Sequence, residues 1–308
     1  MGLSRVPATL TQRHWSFLLL GLPLSLMFWR QLGALIALSA GDERYTHILV
    51  IPFISAALLY LERKRIFSDL SNGPMTGVPL MLAGFGMFLA YRMKLPWASS
   101  LSFAISSLIL LCIGFYICCY GLRSFKYASF PLLLLVLMIP VPSKVLDRIV
   151  AALQTGSAEL SYLLFRLVGV PVFRHGMVMS LPGADIEVAT QCSGIRSTMA
   201  LLIAGLVVGH MLLRSAWGKS LVVLCVGPIG VFRNAVRIVV ISMLGVYVNK
   251  GFFSGNLHHR GGLVFATIGF AALIAIVWLA RSWERRLWAG RAHAAGHGLG
   301  SGGPCSVG

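Results

Sequence analysis

Charged side chains are scarce in this sequence. Asp, Glu, Lys and Arg together make up 11% of its 308 residues, whereas a soluble globular domain carries about 25%. Hydrophobic residues make up 57%, and several apolar runs exceed the roughly 18 residues needed to cross a hydrocarbon core of about 30 Å. The composition therefore excludes a soluble globular protein and predicts an all-α polytopic membrane protein.

Acidic residues are scarcer than basic ones. Only 9 Asp and Glu stand against 26 Lys and Arg, which gives a net charge of +17. In a soluble protein such an excess would suggest nucleic-acid binding. Here the basic residues lie mostly in short segments between apolar runs, so we attribute them to membrane topology. We expect contacts with membrane lipids and no nucleic-acid partner.

The motifs of several enzyme classes are missing. The six cysteines include no Cys-x-x-Cys pair and no Cys/His spacing typical of a metal site. The sequence has no His-Glu-x-x-His, no Gly-x-Ser-x-Gly, and no glycine-rich nucleotide loop after a strand. We therefore expect neither a metal ion nor another cofactor.

The apolar runs predict eight membrane helices. They cover residues 15–29, 48–61, 77–91, 98–120, 127–141, 195–213, 220–248 and 262–280, approximately. The short loops and tails on one side of these helices collect most of the Lys and Arg, so both termini should face the cytoplasm. We expect a multi-pass protein of the cytoplasmic (inner) membrane. Its organisation would be a cytoplasmic N-terminus (1–14), one integral membrane domain (15–290) and a flexible cytoplasmic tail (291–308).

One long connection should face outward, between residues 143 and 192. Its first part, 145–168, has apolar residues every three to four positions, which predicts an extracytoplasmic amphipathic helix or helix pair at the membrane interface. Its second part, 170–189, alternates in polarity and contains Gly176 and Gly183. This pattern predicts a small hairpin.

Polar side chains interrupt the apolar runs at three places where the bilayer makes them costly. They are Cys192, Ser193, Gly194 and Arg196 before the sixth helix, Arg233, Asn234 and Arg237 within the seventh, and His258 and His259 before the eighth. A charged residue at mid-membrane is a functional candidate, since its insertion costs about 3 kcal/mol. The predicted topology brings a thiol, a guanidinium and an imidazole to the outer face.

These three groups together suit nucleophilic acyl transfer. A cation or imidazole beside a thiol raises its reactive thiolate fraction, histidine can protonate a leaving amine, and arginine can stabilise an oxyanion. Arg237 lies about 6 Å nearer the outer end of its helix than Arg233. We therefore expect Arg237 to act in the chemistry and the deeper Arg233 to support helix packing.

From about residue 41 to 270 the sequence resembles the exosortase/archaeosortase family of membrane-embedded cysteine transpeptidases. The most specific block is Cys192-Ser193-Gly194-Ile195-Arg196-Ser197, followed by Asn234-Ala235-Val236-Arg237 for the family's Asn-x-x-Arg and by His258-His259-Arg260-Gly261-Gly262. Further similar segments lie at 45–52, 139–143, 153–154, 169–172, 174–176 and 186–189. Their shared order makes the resemblance specific.

The resemblance implies a catalytic set of Cys192 as nucleophile, Arg237 as the essential arginine and His258 as the third residue. Two adjacent histidines replace the single one usual in the family, so His259 is an alternative to His258. Arg196, Asn234 and Arg233 remain alternates or substrate contacts. The implied partners are exported proteins with a C-terminal signal of short motif (such as Pro-Glu-Pro), transmembrane helix and basic cluster, together with an unidentified acyl acceptor.

Two other functions compete with this one. A transporter or flippase would use intramembrane arginines to bind phosphates, and would show paired repeats and a polar path through several helices; the sequence shows neither. A non-catalytic factor for exopolysaccharide export would leave Cys192 without a role.

Overall fold

The computed structural model describes residues 10–68, 70, 74–189, 193–249, 251 and 262–298. The chain divides into two compact units, Met1–Val145 and Leu146–Gly308, called here the N-terminal and C-terminal units. The helices of the first are α1 (Leu10–Met27), α2 (Trp29–Gly41), α3 (Ile51–Leu61), α4 (Arg63–Ile66), α5 (Val78–Arg92) and α6 (Leu101–Leu134). Short 3₁₀ helices precede α3 at Glu43–Leu49 and follow α6 at Leu135–Met138.

The α6 segment reverses its direction at Gly121. A straight helix over Leu101–Met138 would be about 57 Å long, yet the Ser102 hydroxyl near its start donates to the Pro140 carbonyl just beyond its end, at 2.6 Å. Gly121 has φ +89° and ψ 165°, a conformation that glycine adopts without steric cost. Residues 101–120 and 122–138 therefore form a helical hairpin. They correspond to the predicted fourth and fifth helices, but the expected loop at 121–126 is reduced to a single residue.

Glycines allow α5 to lie directly against the first arm of this hairpin. A Cβ atom added to Gly84 would lie 2.9 Å from Leu111 Cγ and 3.0 Å from the Leu111 backbone nitrogen, and one added to Gly114 would lie 2.9 Å from Met81. Close backbone approach through small residues is a common way for membrane helices to associate.

The structure does not confirm the predicted number of membrane spans. Among the described residues, five helices are long and apolar enough to cross a membrane, or six if α1 and α2, which meet at 72°, count as one span. This count treats Leu101–Met138 as one helix and leaves out α5, which has 15 residues. The mostly helical, multi-pass architecture is confirmed, whereas eight spans are not.

The C-terminal unit begins within α7 (Ser143–Leu167), a single helix where the sequence left a helix pair open. It continues with strands β1 (Phe173–His175), β2 (Val178–Leu181) and β3 (Ala184–Glu187), then α8 (Ile195–Leu212), α9 (Ala216–Tyr247) and α10 (Gly262–Gly298). The three strands form an antiparallel sheet in the order β1-β2-β3. The expected hairpin is thus two hairpins, because Gly176 (φ +64°) and Gly183 (φ +88°) each permit a tight turn.

The sheet packs on α7 and on the last third of α9. The shared core consists of Ala158, Phe165, Val170, Met179, Leu181, Val188 and Val239. Because Val188 is the residue after β3, this core holds the chain that leads to Cys192.

Helix α10 is longer than the sequence predicted. It continues to Gly298, through residues that were expected to form a flexible tail from 291 onward. The alanine-rich segment favours helix, and no proline lies between residues 262 and 303. Within α10, the Glu284 carboxylate accepts hydrogen bonds from the backbone N–H groups of Arg214 (3.1 Å) and Ser215 (2.9 Å) and from the Ser215 hydroxyl. These contacts attach α10 to the turn between α8 and α9.

Candidate active site

The structure describes four of the seven predicted site residues. Arg233, Asn234 and Arg237 lie on α9, and Arg196 lies in the first turn of α8. Cys192, His258 and His259 lie outside the described residues. The geometry of the site therefore rests on α9 and on the residues that flank Cys192.

The turn after Cys192 lies directly against α9. Gly194, the N-cap residue of α8, has φ +71°. A Cβ atom at Gly194 would lie 2.9 Å from Arg233 Nη2 and 3.3 Å from Asn234 Oδ1. Glycine is therefore required here both by the backbone conformation and by the close approach.

Covalent geometry relates Cys192 to this contact. Cys192 precedes Gly194 by two residues, and two residues of extended chain span at most about 7 Å. Gly194 is thus the described residue at which the chain after Cys192 meets the part of α9 that carries a guanidinium and a carboxamide.

Arg233 is a buried cation at this turn. Its side chain is 2% exposed, and its Nε has no hydrogen-bond partner among the described residues. Gly269 of α10 allows close packing from the other side, since a Cβ there would lie 3.2 Å from Arg233 Cδ. A buried cation with an unused donor is costly to keep, and it can donate to a negative group that enters the site.

Ser193 supplies a second unused donor. It is 2% exposed, and its hydroxyl has no hydrogen-bond partner within the described part of the chain. Because Ser193 joins Cys192 to Gly194, two unsatisfied buried donors occur at one turn. Such groups are rare in folded proteins and usually have a functional explanation.

The three arginines of the candidate site differ in burial. Arg237 is half-buried one turn further along the helix, and Arg196 is exposed. The atoms nearest a Cβ at Gly194 belong to Arg233 and Asn234. The depth of each residue along α9 could not predict which of them meets Gly194, because the position of the turn depends on how far α8 and α9 overlap.

Three polar residues of α7 next to the site received no role from the sequence, although Gln154 lies in a segment that resembles the family. The Asn234 amide donates to the Ser157 hydroxyl (3.0 Å), Ser161 donates to the Ser157 carbonyl (2.7 Å), and the Gln154 amide donates to the Val188 carbonyl (2.5 Å). Their spacing along the chain, three and then four residues, was the available signal. It places them on one face of an amphipathic helix whose buried side is otherwise apolar.

Comparisons with known proteins add one match. A family model described as transmembrane exosortase matches residues 29–279. No curated protein and no solved structure matches the chain. The match includes both units and every residue of the candidate site.

Proposed function

The chain belongs to the transmembrane exosortase family, and on that premise we propose that it is a cysteine-type membrane transpeptidase that processes C-terminal sorting signals of exported proteins. Family membership supports a transpeptidase-like role of a multi-pass membrane protein. The observation that carries the assignment to this site is the contact of Arg233 and Asn234 with the turn at Gly194, two residues after Cys192.

In the proposed first step, the Cys192 thiolate attacks the carbonyl carbon of the scissile peptide bond. The tetrahedral intermediate collapses with cleavage of the C–N bond, and the leaving amine takes a proton from His258, with His259 as the alternative donor. The product is a thioester between Cys192 and the exported protein. The released fragment carries the transmembrane helix and the basic cluster.

In the second step, an amine acceptor or water attacks the thioester carbonyl. The same histidine takes the proton of the attacking group, and the Cys192 thiolate leaves. Atoms and charges balance without a metal ion or a redox partner. Hydrolysis and transfer differ only in the nucleophile.

The two arginines have separate roles in this proposal. Arg233 donates to the oxyanion, because its guanidinium contacts the Gly194 turn and keeps Nε unpaired within the described residues. Arg237, half-buried and one turn away, binds an acidic side chain of the sorting motif, and Arg196 is the alternative for that contact. This reverses the assignment expected from the Asn-x-x-Arg motif.

The decisive experiment replaces Cys192. A secreted reporter that ends in a Pro-Glu-Pro motif, a transmembrane helix and a basic cluster should remain uncleaved in cells with Cys192→Ala, while the protein persists in the membrane. Cys225→Ala, a thiol within α9, is the matched control and should cleave normally. Normal cleavage by Cys192→Ala would contradict the proposal, and separate His258→Ala and His259→Ala variants would identify the acid.

A further inference from the structure

Helix α7 holds both ends of the chain segment that contains Cys192. We propose that Gln154 and Ser157 are positioning residues for the Cys192 thiol, an inference that rests on the proposed function of Cys192 as the nucleophile. Neither side chain contacts the reacting atoms in this proposal. Each acts through a residue that flanks Cys192 in the chain or packs against its turn.

Gln154 fixes the segment where it enters the site. Its amide donates a 2.5 Å hydrogen bond to the Val188 carbonyl. The Val188 N–H donates to the Met177 carbonyl at 2.9 Å, and the Val188 side chain is buried in the core between the sheet and α7. Both polar groups of this backbone residue, four positions before Cys192, are therefore held.

Ser157 fixes the segment where it leaves the site. Its hydroxyl accepts a 3.0 Å hydrogen bond from the Asn234 amide, and both side chains are fully buried. Asn234 in turn lies against Gly194, two positions after Cys192. The orientation of the carboxamide that abuts the turn is thus set from α7.

The hydrogen bonds of Gln154 and Ser157 come from one face of helix α7. Gln154 and Ser157 are three residues apart on α7, and Ser161, four further on, donates to the Ser157 carbonyl. The two helices are in contact at Gly156, where a Cβ would lie at an ordinary van der Waals distance, 3.4 Å, from the Val231 methyl groups of α9. Cys192 lies in the stretch of seven residues from Val188 to Gly194, and restraining both ends of a short stretch of chain reduces the number of conformations open to it.

The alternative is a merely structural role, in which these hydrogen bonds stabilise the fold and nothing more. A structural variant would lower the amount of folded protein and leave each remaining molecule unchanged. A positioning variant would leave substrate binding intact and lower turnover, because small displacements of a nucleophile cost rate out of proportion to their size. It would also change the environment, and hence the pH dependence, of the thiol.

The test compares Gln154→Met, which keeps the length of the side chain and removes the donor, with Thr155→Val at the adjacent exposed position. Each full-length variant is measured in membranes in two ways. The first is kcat and KM for the sorting-signal reporter. The second is the rate at which N-ethylmaleimide alkylates Cys192 between pH 6 and 9, followed by mass spectrometry of the Cys192 peptide.

We expect Gln154→Met to lower kcat by about 10-fold or more at unchanged KM, and to move the alkylation profile to higher pH. Thr155→Val should match the native protein in both readouts. Ser157→Ala, a smaller change, should show the same pattern and keeps the test available if Gln154→Met does not accumulate.

Two results separate failure of this inference from failure of the proposed function. If Cys192→Ala is inactive, but Gln154→Met and Ser157→Ala equal Thr155→Val in kcat and in alkylation profile, the positioning role is overturned. If Cys192→Ala still cleaves the reporter, the proposed function fails and the positioning role falls with it.

Discussion

The two units treat their buried polar groups differently. In the N-terminal unit, buried serines donate to backbone carbonyls: Ser39 to Tyr45 at 2.9 Å, Ser55 to Pro131 at 2.8 Å and Ser107 to Ala104 at 2.7 Å. Hydroxyls of the C-terminal unit do the same, as Ser161 and Thr198 show, and the N-terminal unit buries one carboxamide, Gln31. Among the described residues, however, only the C-terminal unit buries a cation, Arg233, and its Nε has no partner there.

This difference separates scaffold from chemistry. A hydroxyl that donates to a carbonyl removes its own polarity from the lipid, and where the carbonyl belongs to another helix, as for Ser55 and Pro131, it also attaches the two helices. A buried guanidinium with an unused donor destabilises the fold, so its retention points to a role in binding or catalysis. We therefore expect changes in the N-terminal unit to alter protein amount, and changes around Arg233 to alter turnover.

The largest effect should come from the arginine pair. Arg233→Lys should lower the reporter cleavage rate by about 10² to 10³, because an ammonium cannot reproduce the donor geometry of the guanidinium. Arg237→Lys should mainly raise KM. Lysine keeps a cation for the substrate's carboxylate, but it cannot make the two-point contact of a guanidinium. Rates must be normalised to the amount of each variant in the membrane. An inactive Arg237→Lys beside an active Arg233→Lys would restore the assignment from the motif.

A glycine pair on α9 tests the same region through packing. A Cβ at Gly230 would overlap the Thr198 side chain on α8, whereas a Cβ at Gly227 meets nothing within 4 Å. Gly230→Ala should therefore separate α8 from α9 one turn before Arg233 and lower turnover by about 10-fold or more. Gly227→Ala is the matched control. Equal turnover in the two variants would mean that the spacing of these helices is not critical.

The equivalent pair in the N-terminal unit should affect stability alone. Gly84→Ala would place its Cβ 3.0 Å from the Leu111 backbone nitrogen, while Gly86 on the same helix faces open space. Overpacking of this kind costs about 1 to 3 kcal/mol, so Gly84→Ala should lower the melting temperature in detergent relative to Gly86→Ala. Turnover per folded molecule should stay at the native value. A selective loss of turnover would show that the N-terminal unit takes part in the chemistry.

Removing the charge of Glu284 should have a moderate effect on stability. Glu284→Gln weakens three hydrogen bonds to Arg214 and Ser215, and bonds to a charged group contribute about 1.5 to 3 kcal/mol each at most. We expect a melting temperature a few degrees lower, with normal cleavage per molecule. Asp185→Asn, at an exposed position of strand β3, is the control. An unchanged melting temperature would mean that α10 is held by its apolar contacts.

The smallest effect should come from a buried serine of the N-terminal unit. Ser55→Ala removes one hydrogen bond between helices, worth about 0.6 kcal/mol in membrane proteins. Ser157→Ala is the same chemical change in the C-terminal unit, and there it should reduce kcat. If the two variants have the same kcat, the contrast between the units does not extend to their serines.

Much of the helical architecture was readable from the pattern of apolar residues. The segment after residue 143, for example, repeats its apolar positions every three to four residues and is one helix, Ser143–Leu167. Turns were less readable, because Gly121 reverses the chain within a single residue and Gly183 adds a third strand. The eight predicted spans are not confirmed, because the count depends on whether Leu101–Met138 is taken as one helix or as a hairpin with a one-residue turn.

The sequence by itself determined that the chain is a multi-pass membrane protein of the exosortase family, because hydropathy and motif order are properties of the chain alone. Only the tertiary structure decided that Arg233 contacts the turn at Gly194, and that α7 supplies Gln154 and Ser157. The reason is physical. Which side chains of α9 meet the turn at Gly194 depends on the register between α8 and α9, which are in close contact at Gly230 and Thr198.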